Sequence, residues 1–124
     1  MKDDYKMYCV FARETVQLME KHRGKMCAQA GHAFLHAAQV AAKHFPQDLE
    51  GYLNSNHAYK IVLIVDTVEE LKNLQRAYQD VCATVLIVDK GFTVFDGATV
   101  TCLGIGPLPN TRKGDDLHTL KLFN

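Results

Sequence analysis

No stretch of this 124-residue chain is apolar for long enough to cross a bilayer. The longest run, Ile61-Val62-Leu63-Ile64-Val65, has the length of a strand. The first residues, Met1-Lys2-Asp3-Asp4, place two acids where a secretory signal would be apolar, so an intracellular (cytoplasmic) setting without a membrane is expected. Net charge is also missing: 14 basic residues balance 14 acidic ones. Nucleic-acid binders usually carry a basic excess, so any such surface here must be a local patch. There is no C-x-x-C. Cys9, Cys27, Cys82 and Cys102 are far apart in apolar settings, which argues against a zinc knuckle or a disulfide framework and for reduced, buried thiols. Repeats, low-complexity tracts and linkers are absent too, so residues 1–124 are expected to form one domain with one ordinary core.

The hydrophobic pattern reads as alternating strands and helices. Tyr8-Cys9-Val10-Phe11-Ala12 is a short buried strand, followed by a polar connection from Arg13 to Arg23. From Lys25 to about His44, Met26, Ala30, Ala33, Ala37 and Ala41 recur at helical spacing. A face so rich in alanine implies close approach to a neighbour. Pro46 ends that helix, and a short second helix follows to about Asn56. Tyr59 to Val65 is a strand with no polar alternation, as expected where both faces of a sheet are covered. Thr67 and Glu70 have capping-box spacing and open a helix to about Asp80, with Val68, Leu71, Leu74 and Tyr78 as its inward stripe. Thr84–Val88 and Ala98–Ile105 are further strands, separated by a loop with Gly91 and an Asp96-Gly97 turn. Leu117, Leu120, Leu122 and Phe123 form a packed edge segment. The expected fold is α/β: three layers, with a mixed four-stranded sheet and helices on both faces.

Three polar constellations stand out. Lys25, Gln29, His32 and His36 lie four, three and four residues apart, on one helical stripe placed roughly opposite part of the alanine face. Such a stripe could line a cleft; a solvated face is the plainer alternative. Lys25 also follows Gly24 in a first turn that favours anions. His32 and His36 have zinc-compatible spacing, but the glutamate of H-E-x-x-H and a third ligand are lacking, so no metal is expected. Cys27 falls on the apolar side of the helix, which argues against a nucleophile. The second constellation is Asp89-Lys90-Gly91-Phe92-Thr93, an aspartate entering a glycine loop at a strand end. That is a common ligand position in α/β folds and equally a turn cap. The third is Thr101-Cys102-Leu103-Gly104-Ile105-Gly106-Pro107.

Taken together and in this order, these segments resemble the type II (archaeal-eukaryotic) peptidyl-tRNA hydrolases. Gly24-Lys25-Met26-Cys27-Ala28-Gln29-Ala30-Gly31-His32-Ala33 is similar to the family's G-K-x-A-A-Q-x-x-H-A. Asp89 to Thr93 is similar to its D-A-G-R-T loop, residues 101–107 to its T-V-L-G-I-G-P strand, and Leu120-Lys121-Leu122-Phe123 to its L-K-L-Y/F end. The departures are Phe92 for the loop arginine, Val94 for a glutamine, Gly31 for a serine and a longer Arg13–Gly24 connection. The resemblance implies hydrolysis of the ester between a peptide and the 3′ end of tRNA, with no cofactor, peptidyl-tRNA as partner, and often a homodimer. It implies catalytic roles for Lys25, Asp89, Thr93, Thr101 and His32. Substrate contacts would fall to Gln29, Gly24, Gly91 and His36. A rim of Lys21, Arg23, Lys25 and Arg112 would supply a local basic patch.

Overall fold

The computed structural model describes residues 4–55, 57–91 and 97–124. Five strands form one mixed sheet in the order β3-β4-β1-β2-β5. The central strand β1, Tyr5–Ala12, runs parallel to β2, Tyr59–Val65, and antiparallel to β4, Thr99–Pro109. β3, Thr84–Asp89, pairs antiparallel with β4, so it points the same way as β1 and β2. The four expected strands are present. The packed edge segment supplies the fifth, β5, Lys121–Leu122, which pairs antiparallel with β2.

The sheet is covered on both faces because β1 is apolar at consecutive positions and each side chain finds a layer. Tyr8, Val10 and Ala12 join Leu71, Leu74 and Tyr78 of α4, Val68–Tyr78. Cys9 and Phe11 face Ala33 of α2, Arg23–His44, while Met7 meets Ala37 and, with Tyr52, reaches α3, Pro46–Leu53. The alanine stripe has the predicted purpose. At Gly104 of β4 a Cβ would lie 2.5 Å from the Ala33 carbonyl oxygen, so helix backbone and strand backbone nearly touch. Any larger side chain at 104 would lift α2 off the sheet.

Local capping follows the sequence where it was read. Thr67 accepts a hydrogen bond from the Glu70 amide at 3.2 Å and opens α4. A second cap comes from far away in sequence: the Glu14 carboxylate accepts from the Val68 amide at 2.7 Å. Glu14 sits in a short helix, α1, Arg13–Val16, which continues as a 3-10 turn over Gln17–Met19. The segment read as a polar connection is therefore partly helical, and it buries Thr15 and Met19. The remaining short helix, α5, Asp115–His118, precedes β5.

Two placements differ from expectation. Cys27 is exposed, unlike buried Cys9, Cys82 and Cys102. At about 100° per residue it lies beyond the edge of the alanine stripe, on the solvent side of α2. The polar stripe is adjacent to the alanine stripe instead of opposite to it. Gln29 is buried in line with Ala33, Ala37 and Ala41.

Candidate active site

β3 ends at Asp89, and α2 begins beside it, so the carboxylate meets the first two turns of the helix. A strand C-terminus facing a helix start is where open α/β sheets gather ligands. Lys25 Nζ forms an ion pair with Asp89 Oδ2, and the two side chains are only 19% and 9% exposed. One turn later, Gln29 Nε2 donates to the same oxygen over a long 3.5 Å. The other oxygen, Oδ1, accepts from the Gly91 amide at 2.8 Å. Asp89 is thus both the turn cap and the partner of the cation, one role for each oxygen.

Gln29 links this pair to β4. Thr101, fully buried, donates its hydroxyl to Gln29 Oε1 at 2.7 Å. The Ile87 carbonyl lies farther from the same hydroxyl, at 3.3 Å. A carboxylate can only accept, so the Gln29 NH2 must face Asp89 and its Oε1 must face Thr101. The negative charge therefore decides the amide's orientation, and the hydroxyl holds it. The Cys102 thiol adds a contact to the Gln29 backbone carbonyl at 3.5 Å. A bulge in the β3–β4 register between Ile87 and Val88 leaves Thr101 without an opposite residue.

The electrostatics favour an ionised Asp89. Its pKa is lowered chiefly by the hydrogen bond with the Lys25 ammonium, helped by the Gly91 amide and by the positive potential of Lys25 and His32; burial opposes this. A carboxylate held this way is a weak base, well suited to orienting a water and fixing charge.

His32 and His36 stand at the mouth of this network. Their rings are stacked, with centroids 5.9 Å apart, and His36 Nδ1 lies 2.9 Å from Gln39 Oε1. Together with Gln29, Asp89, Lys90 and the outer part of β3 they line an open cleft of about 470 Å³. That volume is ordinary for a ligand site. Among the described residues, no three His, Cys, Asp or Glu side chains cluster as metal ligands.

The structure thus brings together Lys25, Gln29, His32, His36, Asp89, Gly91 and Thr101. It also sorts them. Gln29 and Thr101 are buried with their polar atoms engaged inside the protein, so they hold the ion pair in place. The Gly91 amide is committed to Asp89. Its φ of +84° and a Cβ clash of 2.6 Å with Gly97 backbone explain the glycine. Gly24 is open: a Cβ there would meet nothing. Thr93 and Phe92 lie outside the described residues. Arg112 does not belong to the basic rim. It is paired with Asp48 at the far end of α2, a helix roughly 33 Å long at 1.5 Å per residue. The edge of β3 lines the cleft without having been singled out, together with Lys90, which the sequence offered only as part of the Asp89–Thr93 loop. An unpaired edge is a property of strand order, which no local motif encodes.

A family model described as "Peptidyl-tRNA hydrolase PTH2" matches residues 5–123. The chain is 33% identical over 111 residues to a peptidyl-tRNA hydrolase of Sulfolobus acidocaldarius, covering 85% of this chain and 92% of that protein. It is 40% identical over 86 residues to the peptidyl-tRNA hydrolase of Methanopyrus kandleri, covering 68% and 72%. A probable peptidyl-tRNA hydrolase 2 of Schizosaccharomyces pombe is 36% identical over 103 residues, 82% of this chain and 49% of that longer protein. With nearly its whole length matched and the polar network assembled at the strand end, the chain belongs to the type II peptidyl-tRNA hydrolase family.

Proposed function

We infer that this chain hydrolyses the ester joining a peptide, or an N-blocked amino acid, to the 3′ ribose of tRNA. The observation that carries this reading is the Lys25–Asp89 pair, held from behind by Gln29 and Thr101 and open in front to a cleft. Ester hydrolysis needs a positioned water, a place for its proton, and a cation or donor for the carbonyl oxyanion. Asp89 orients the water. Lys25 is a single point charge on a flexible stem, so it can leave Asp89 partly and face the developing oxyanion. His32 is placed in the cleft to relay the proton, the task to which an imidazole is suited near neutrality. His36 and Gly24 border the substrate. Gln29 and Thr101 act as positioning residues, Thr101 through its hydrogen bond to Gln29.

No described helix is long and apolar enough to cross a membrane. A peptidyl-tRNA substrate would place the protein in the cytoplasm with the translation machinery. The homodimer implied by the family resemblance is a matter for sedimentation. For tRNA, Lys21 and Arg23, exposed and close to Lys25 in the chain, would supply the local basic patch that a neutral chain requires.

The test is release of the blocked amino acid from an N-acetyl-aminoacyl-tRNA, with Asp89→Asn alongside. Release that the variant loses supports the reading. Absence of release by the folded native protein would move the chain to a non-catalytic binding role.

A further inference from the structure

β3 is an edge strand, and among the described residues no strand pairs with its outer side. Natural edges are usually blunted by being short or by charge, proline or a bulge of their own. The opposite edge, β5, is two residues long and contains Lys121. β3 instead presents Val85-Leu86-Ile87-Val88 without interruption, and Val88 is 51% exposed. The backbone parity is also defined. The Ala83 carbonyl accepts from Gly106, and the Ile87 carbonyl faces Thr101, so residues 83, 85 and 87 point their polar groups towards β4. Leu86 and Val88 then direct N–H and C=O outward, because alternate residues of an antiparallel strand bond to opposite sides. This edge is one wall of the cleft that ends at Asp89.

We propose that the edge of β3 binds the peptidyl part of the substrate as an added strand, a refinement that rests on the hydrolase reading above. Charge separates the two halves of the substrate. The polyanionic tRNA belongs with Lys21 and Arg23 at the start of α2, and the peptide backbone, which carries no charge, belongs on the apolar edge. Direction follows from connectivity. The scissile ester is the C-terminus of the peptide and lies at Asp89, the C-terminal end of β3. A peptide extending back along the edge therefore runs parallel to β3. At about 3.3 Å per residue, two or three residues reach from Asp89 past Val88 to Leu86. Recognition through backbone groups makes the site indifferent to peptide sequence, as a substrate of arbitrary sequence demands.

The test uses the intact protein and a series of N-acetylated aminoacyl-, dipeptidyl-, tripeptidyl- and tetrapeptidyl-tRNAs. We expect kcat/KM to rise about tenfold up to three residues, the gain from two backbone hydrogen bonds, and then to level off. N-methylation of the substrate should erase the gain at alternate amides only. Val88→Pro, which removes an outward N–H and leaves the β4 ladder intact, should flatten the length dependence, read as the ratio of kcat/KM for the tripeptidyl substrate to that for the aminoacyl one. Equal kcat/KM along the series, or equal sensitivity at every amide, would overturn the proposal while leaving the hydrolase reading intact. So would sedimentation showing that Val88→Pro dissociates a dimer without changing the length dependence, since the edge would then bind a second copy. Failure to cleave any member would overturn the hydrolase reading itself.

Discussion

The two ends of α2 each carry a carboxylate paired with a cation, and they are built differently. At the far end Arg112 grips Asp48 with both guanidinium nitrogens, and the same Nη1 donates to the Val81 carbonyl at 3.0 Å. A planar, two-pronged clamp of this kind has one geometry, and it ties the start of α3 to the end of β4. Asp48 in turn raises the pKa of Arg112. At the near end the cation is a lysine, which has no fixed fork, and its carboxylate partner is shared with an amide that a buried hydroxyl orients. Arginine suits a joint that must not move. Lysine suits one that must re-form around a substrate.

The largest expected effect lies at the near end. Asp89→Asn and Lys25→Ala should each lower turnover of N-acetyl-aminoacyl-tRNA by roughly a hundredfold or more, with circular dichroism showing a folded protein. Near-native turnover in both would remove the basis for treating the pair as catalytic. The far end should behave in the opposite way. Asp48→Ala should cost about 2 kcal/mol in denaturant titration, reduced from the full cost of breaking a buried pair because Arg112 is 40% exposed. Its kcat at a temperature where it remains folded should stay within about twofold of native. A large kinetic loss there would erase the distinction between the two pairs.

Thr101→Val sharpens the comparison from inside. It keeps the volume and removes the hydroxyl that orients Gln29, leaving a buried acceptor without its donor. We expect kcat to fall about tenfold with KM little changed, and Thr101→Ser to recover most of it. The smallest effect concerns pH. Asp89 has a lowered folded-state pKa, so its contribution to stability is fully present above the unfolded-chain value of about 3.9. It is lost only as pH falls through the lower folded value. Between about pH 5 and 8 neither stability nor kcat/KM should show a step from Asp89.

Much of the fold was legible because its signals are local. The β-branched run at 59–65, the alanine stripe of α2, the Thr67 cap and the stop at Pro46 each specify one conformation from a few neighbours. The stretch after Ala12 was not, because its helical turns depend on distant partners. Arg13 meets Asp66 at 3.2 Å, Glu14 caps α4, and Thr15 donates to the Val100 carbonyl at 3.0 Å. Nothing in the order Arg13-Glu14-Thr15-Val16 announces those contacts. The strand count was similarly close: Leu122 and Phe123 read as an edge segment, and the ring of Phe123 meets that of Phe11 edge-on at 5.3 Å while its amide donates to the Val62 carbonyl at 3.0 Å.

For the site, the sequence by itself determined which side chains exist and that Lys25, Gln29, His32 and His36 must share a helical stripe, since 3.6 residues per turn leaves no choice. The tertiary structure decided what each one faces. The stripe borders the buried face of α2, so Gln29 is drawn under the sheet and becomes an orienting amide, while His32 and His36 stay in the open cleft. Asp89 and Thr101 reach that helix only because β3 and β4 pair side by side, and the bulge at Thr101 sets the hydroxyl towards Gln29. Arg112 is carried to the opposite end by the length of α2. Periodicity acts within one element, but ion pairs, edges and clefts arise between elements, where strand order and packing decide the distances.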